Sequence, residues 1–138
     1  MFLGEYHHTI DEKGRLAIPV KLRKDLGTGA ILTRGTDRCL VIYPKAAWNA
    51  LATKLSQLPL SDARARSFSR MLLSGAMEVV FDKQGRALVP SYLREYATLG
   101  TNAVLAGVYD RIEVWDKTSW ETYKEHHSVD ENLSEFGI

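Results

Sequence analysis

The side chains of this chain best suited to chemistry are acidic and basic groups spaced around a glycine, and the spacing occurs twice. Asp11-Glu12-Lys13-Gly14-Arg15 is echoed 71 residues later by Asp82-Lys83-Gln84-Gly85-Arg86. The echo continues through an apolar alternation to Pro19 and Pro90, then to Leu22-Arg23 and Leu93-Arg94. Self-similarity at a fixed displacement marks a structural repeat and governs any reading of the fold. Asp-x-x-Gly between apolar runs suits a type I turn closed by a left-handed glycine. In such a turn Asp11 and Asp82 accept backbone N–H bonds, Gly14 and Gly85 take positive φ, and Arg15 and Arg86 stand at the tip. Two roles for the arginines are open on this spacing. They can close the turn by pairing with Asp, which needs no ligand. They can also enter a DNA groove, holding guanine O6 and N7 in a bidentate fork or gripping phosphates, with Lys13 and Lys83 adding phosphate contacts. Both can hold together, because Asp can orient the Arg that binds.

Other candidates point away from catalysis. The pairs His7-His8 and His126-His127 invite a metal, but neighbouring side chains diverge, to opposite faces of a strand or by about 100° on a helix. They are expected to be surface or crevice histidines. Cys39 lies in an apolar, strand-like run and reads as an inert buried thiol. As the single cysteine it forms no internal disulfide, which agrees with a reducing cytoplasm. There is no phosphate-cradling Gly-rich loop, nucleophile elbow or Cys/His cluster at metal-ligand spacing. The expectation is a protein that is not an enzyme and takes no cofactor or metal.

The elements that position the two charged turns follow the same repeat. Glu5 to Ile10 and Leu16 to Ile18 read as the arms of a first hairpin, with Pro19 at the first position of a helix running to Leu26. Gly27-Thr28-Gly29 ends that helix. Ala30 to Thr33 and Leu40 to Tyr43 form a second hairpin around Gly35 to Arg38, echoed by Ala103 to Val108 and Ile112 to Trp115. Pro44-Lys45-Ala46-Ala47-Trp48 and Asp116-Lys117-Thr118-Ser119-Trp120 each open a further helix. Between the repeats, Trp48, Leu51, Leu55 and Leu58 form an amphipathic helix face that Pro59 interrupts. Ser61 is the expected cap of a second helix to about Leu73, with Ala65, Phe68 and Leu72 on one side and Asp62, Arg66 and Arg70 on the other. The organisation expected is therefore a first repeat over 5–47, a helical insert over 48–75, a second repeat over 76–120, and a helix end with an acidic tail over 121–138. The two insert helices are expected to lie as a hairpin on the β core, and the tail to fray or dock.

Bulk properties set the frame. The 138 residues are 45% hydrophobic and 25% charged, an ordinary globular balance. A half of about 70 residues buries only a modest core, so the halves are expected to share one. No apolar run approaches the roughly 18 residues of a membrane span, and the start lacks the features of a secretory signal. The net charge of +1 conceals an asymmetry: residues 121–138 hold Glu121, Glu125, Asp130, Glu131 and Glu135 against Lys124 alone. The first 120 residues are mildly basic, and charge alone does not settle the partner.

Asp-x-Lys-Gly-Arg-Leu-x-x-Pro near the N-terminus, its repeat, the Met1-Phe2-Leu3-Gly4 start, the insert and Trp115-Asp116-x-x-x-Trp120 together resemble the MraZ family of bacterial transcription regulators. The wider signature resembles the AbrB/SpoVT/MazE swapped-hairpin fold. The resemblance implies a mainly β, α+β fold in which two β-hairpin–helix–β-hairpin repeats interleave into one pseudo-two-fold barrel. It implies a homo-oligomeric, octamer-like ring that binds short direct repeats in double-stranded DNA upstream of the division and cell-wall gene cluster, including its own operon, mostly as a repressor. It places the protein in the cytoplasm on the nucleoid. The family's Asp-x-x-x-Arg motif falls on Asp11 with Arg15 and Asp82 with Arg86. DNA contact is expected from Arg15 and Lys13 first, then Arg86 and Lys83, because Lys83-Gln84 departs from Glu12-Lys13. The alternative is a toxin-binding antitoxin module of the same fold, against which stand the fused units and the short tail.

Overall fold

In the computed structural model, which describes residues 1–138, the strands flanking each charged turn part company almost at once. Ile10 meets Leu16 at a single bridge and Phe81 meets Ala87 at another, after which the arms pair elsewhere. Strand β1 (Phe2–Thr9) runs antiparallel to β7 (Asn102–Tyr109) over its whole length, Phe2 opposite Tyr109 and Thr9 opposite Asn102. Strand β2 (Arg15–Ala17) pairs with β6 (Arg86–Leu88), with Leu16 opposite Ala87. The expected first hairpin is thus corrected: the turn forms, but its arms are exchanged with the other repeat. A three-residue arm offers little apolar surface to a local partner, and an isolated hairpin is marginal in water. Exchange lets each arm bury its inward residue, leaving Leu16 and Ala87 1% and 2% exposed.

The second hairpins form as expected. Strand β3 (Ile31–Arg34) pairs with β4 (Leu40–Tyr43), and β7 with β8 (Ile112–Asp116). The two-residue strand β5 (Met77–Glu78) joins β3 as β1 joins β7, and β4 meets β8. The six-stranded order β1-β7-β8-β4-β3-β5 is therefore a palindrome about the β8–β4 seam, and β2-β6 forms a separate two-stranded ribbon. The repeats interleave, and the mixed α+β, swapped-hairpin fold implied by the resemblance holds. One core cluster of 19 buried residues draws on both repeats, including Ile18, Leu22, Leu32 and Ile42 from the first and Val89, Leu93, Leu105 and Val114 from the second. Burying a side chain such as Leu22 or Leu93 contributes about 1.5–3 kcal/mol, and neither repeat encloses these side chains alone. On another face, Cys39, Val41, Val104 and Trp115 pack with Trp120 and Tyr123 of helix α5 (Lys117–Glu125). Burial pushes the Cys39 thiol up to about 12, with Glu113 and Asp37 adding to the effect, so it remains protonated and unreactive.

Helices α1 (Val20–Leu26) and α4 (Ser91–Tyr96) follow the ribbon strands. Their prolines sit one residue earlier than expected. Pro19 and Pro90 are N-caps with extended ψ of 142° and 159°, and Val20 and Ser91 begin the helical turns. The residue before a proline favours extended backbone, so strand geometry persists through Ile18 and Val89. The proline carbonyls then accept the first helical bonds from the Arg23 and Arg94 amides at 2.9 and 3.1 Å. In the insert, α2 (Lys45–Ser56) and α3 (Ala63–Ser74) form a hairpin, and Leu55 and Leu72 are its buried residues. The cap of α3 is Asp62 rather than Ser61. Its carboxylate accepts from the Arg64 and Ala65 amides at 2.8 and 3.4 Å and pairs with the Arg64 side chain instead of stacking on Arg66. After α5 the chain is exposed, with one 3-10 turn at Ser134–Phe136.

Candidate functional site

The β2–β6 ribbon carries both charged turns. Because its strands run antiparallel, Arg15 lies opposite Leu88 and Arg86 opposite Ala17. Leu16 and Ala87 point inward, so the period-two alternation of a strand puts Arg15, Ala17, Arg86 and Leu88 on the outer face.

Each turn is built as its residue types require. The Gly14 amide donates to the Asp11 carbonyl at 2.9 Å, and the Asp11 amide donates to the Arg15 carbonyl at 3.1 Å. Asp11 Oδ1 accepts from the amides of Lys13 and Arg15 at 3.0 and 2.9 Å. Its other oxygen accepts from Arg15 Nε at 2.6 Å. The second turn repeats the set: Gly85 donates to the Asp82 carbonyl at 3.0 Å, Gln84 and Arg86 amides donate to Asp82 Oδ1 at 2.9 Å, and Arg86 Nε donates to Oδ2 at 2.9 Å. Gly14 and Gly85 stand at φ of +85° and +74°, the left-handed region that other residues enter at a cost. The backbone N–H of each arginine, followed by its side chain, holds the Asp11 and Asp82 carboxyls below the usual carboxylate range.

The two turns are also stitched together. The Ile18 amide donates to the Gly85 carbonyl at 3.2 Å, and the Val89 amide to the Gly14 carbonyl at 2.7 Å. Arg86 Nη1 comes within 3.6 Å of Asp11 Oδ2. Arg86 therefore spans both carboxylates, whereas Arg15 is committed to Asp11 through Nε alone and keeps both Nη groups unpaired. Lys13 and Lys83 are exposed on the turns and have no carboxylate partner within the chain. All eight residues singled out in the sequence thus gather on one ribbon. Sequence reasoning passed over two more: Arg23 and Arg94, the last residues of the repeated motif, whose Nε atoms donate to the Ile18 and Val89 carbonyls at 2.9 and 3.0 Å. Their signal was the Leu-Arg echo itself.

The histidine pairs do not assemble a metal site. No group of three or more His, Cys, Asp or Glu in the chain could hold an ion. His7 lies 3.7 Å from Glu5, and His127 packs edge-on against Tyr123. No helix is long and apolar enough to cross a membrane.

Exchanged arms, a palindromic sheet and an Asp-held arginine on each of two turns define a tandem swapped-hairpin protein, with two AbrB/SpoVT-like units fused in one chain. The family model described as "MraZ protein, putative antitoxin-like" matches residues 1–71 and again 72–135. The chain is 46% identical over 142 residues to "Transcriptional regulator MraZ" of Clostridium tetani, covering all of both chains. It is 50% identical over 134 residues to the protein of the same name from Acetivibrio thermocellus, covering 97% of this chain and 91% of the relative. The protein of that name from Moorella thermoacetica is 45% identical over 143 residues, again with full coverage of both. The chain belongs to the MraZ family of transcriptional regulators.

Proposed function

We propose that this regulator binds DNA sequence-specifically, acting as a repressor at short direct repeats upstream of the division and cell-wall gene cluster, its own operon included. Arg15 reads bases, with Lys13 on phosphate beside it, and Arg86 and Lys83 contribute more weakly. Asp11, Gly14, Asp82 and Gly85 shape the turns. The observation that carries this reading is Arg15 itself: Asp11 takes its Nε at 2.6 Å and leaves the Nη pair free. A guanidinium held in one orientation loses little freedom when it forks onto guanine O6 and N7, a contact worth about 1–3 kcal/mol of discrimination.

Several chains in a homo-oligomeric, octamer-like ring present their ribbons to successive repeats. Repeats about 10 bp apart show the same groove to neighbouring subunits, and simultaneous engagement raises effective concentration. This supports tight occupancy by a chain whose net charge is only +1. The protein then resides in the cytoplasm on the nucleoid, with 5–47 and 76–120 as reading units and 48–75 as the insert.

The test compares wild type with Arg15→Ala on a duplex of the chain's own upstream region and on a random duplex. Wild type should prefer the upstream duplex, and Arg15→Ala should lose the preference while circular dichroism stays unchanged. A folded Arg15→Ala protein with undiminished preference would make Arg15 a turn-closing residue only. A second reading, a toxin-binding module, draws on Val129, Phe136 and Ile138, which lie exposed in the acidic tail. Deleting 128–138 removes partner binding under that reading and leaves DNA binding intact under the first.

A further inference from the structure

The end of the repeated motif, Leu-Arg, has no part in its own turn. Arg23 follows β2 in the first repeat, yet its guanidinium lies against Gly85 of the second: a Cβ on Gly85 would fall 2.5 Å from Arg23 Cζ and 2.8 Å from its Nη2. Arg94 lies reciprocally on Gly14, where a Cβ would come within 3.1 Å of both Nε and Cζ. The motif glycines are thus required twice, for their positive φ and for the room they leave to the other repeat's arginine.

What holds these two arginines differs from what holds Arg15 and Arg86. Each is fixed by an Nε–H bond to a neutral strand carbonyl, at 2.9 Å for Arg23 and 3.0 Å for Arg94. Neither has a carboxylate within ion-pair distance, and the Nη groups of both make no bond within the chain. The turn arginines are offset by Asp11 and Asp82, so they contribute little net positive charge to the ribbon. Arg23 and Arg94 are half-buried, oriented and uncompensated. Fixed guanidinium forks without a counter-ion suit phosphate oxygens, which take bidentate charge-assisted bonds.

We propose that Arg23 and Arg94 are the phosphate clamps of the interface, each acting beside the opposite repeat's turn. Turn 11–15 then works with Arg94, and turn 82–86 with Arg23. Each reading unit is composite: an Asp-oriented arginine for bases from one repeat, and a carbonyl-oriented arginine for backbone from the other. The inference rests on the DNA-binding reading and adds a division of labour that phosphate and base contacts are known to take.

The experiment measures binding of the full chain to the upstream and random duplexes across a salt series, for wild type, Arg23→Gln, Arg94→Gln and the corresponding Arg→Lys variants, with Arg15→Ala as reference. Each Gln variant should weaken binding to both duplexes by the same factor and flatten the slope of log K against log salt by about 0.9 per engaged chain. The preference for the upstream duplex should survive, in contrast to Arg15→Ala. The Lys variants should keep the wild-type slope and lose affinity on both duplexes, because charge remains without the fork. A folded Gln variant with an unchanged slope overturns the proposal, as does one that loses the preference instead. If the Gln variants unfold, Lys variants with wild-type affinity on both duplexes overturn it. Wild type that binds neither duplex fails the DNA-binding reading itself, a result distinct from these.

Discussion

In the first turn the Asp11 carboxylate faces two guanidiniums, Arg15 at 2.6 Å and Arg86 at 3.6 Å, while in the second Asp82 faces Arg86 alone at 2.9 Å. The backbones of the two turns are near-copies, with the same three amide donors and the same left-handed glycine. What has diverged is the freedom of the arginine. Arg15 is oriented by one carboxylate and keeps its outer nitrogens available, whereas Arg86 divides itself between two. Duplication has preserved the scaffold and left the side-chain electrostatics unequal. The two sites are expected to be unequal readers.

The largest effect should appear when that inequality is tested at the arginines. Arg15→Ala removes a free fork and should cost about 1–3 kcal/mol per contact on the operator, amplified where several subunits engage together. Arg86→Ala should cost less operator affinity, because part of that fork is already occupied by Asp11. It should also leave both carboxylates with less compensation and so lower the thermal midpoint slightly. Titration of both variants against the upstream duplex, with thermal unfolding at fixed protein concentration, separates the two. Equal losses of affinity would erase the proposed ranking.

The glycines offer the next contrast. Alanine at either position meets the handedness penalty of about 1–2 kcal/mol. At Gly14 the new Cβ would also sit 2.5 Å from the Val89 carbonyl oxygen, a backbone atom fixed in the ribbon. At Gly85 the nearest atoms belong to the far end of the Arg23 side chain, which can swing away. Gly14→Ala should therefore destabilise more in urea unfolding. Gly85→Ala should retain more stability but displace Arg23 and lose phosphate-dependent affinity.

These contrasts also mark what the sequence could reveal. The turn was legible because its interactions are local: Asp, the Gly three residues on and the Arg four residues on suffice to draw nearly every bond. The arms were not. Whether Leu16 pairs across its own turn or with Ala87 depends on burial that only the assembled repeats provide, and the local pattern alone predicts a plain hairpin. The interleaving came from the family resemblance. Arg23 and Arg94 were visible as an echo, yet nothing near them in sequence tells that they rest on the opposite turn. At the insert, Ser61 and Asp62 are both good caps. The carboxylate prevails by reaching two amides and the Arg64 guanidinium together.

The smallest expected effect is the most direct readout of the unequal turns, the titration of Asp11 against Asp82. Both carboxyls are held below their ordinary range, chiefly by the backbone N–H of the following arginine. A folded-state pKa below the unfolded value of about 3.9 gives stability that is fully present above that value. The stability is lost as pH falls through the folded pKa. Acid should therefore loosen both turns only below about pH 4, and weakly, since both groups touch solvent. The second guanidinium near Asp11 should make it the later of the two to protonate. Arg86→Ala should raise both carboxyls, and Arg15→Ala should raise Asp11 alone. Carboxyl-carbon NMR shifts followed through the acid range read each site separately. If Asp11 and Asp82 protonate together in the wild type, the approach of Arg86 to Asp11 has no electrostatic weight. Arg86 would then be as free to read DNA as Arg15.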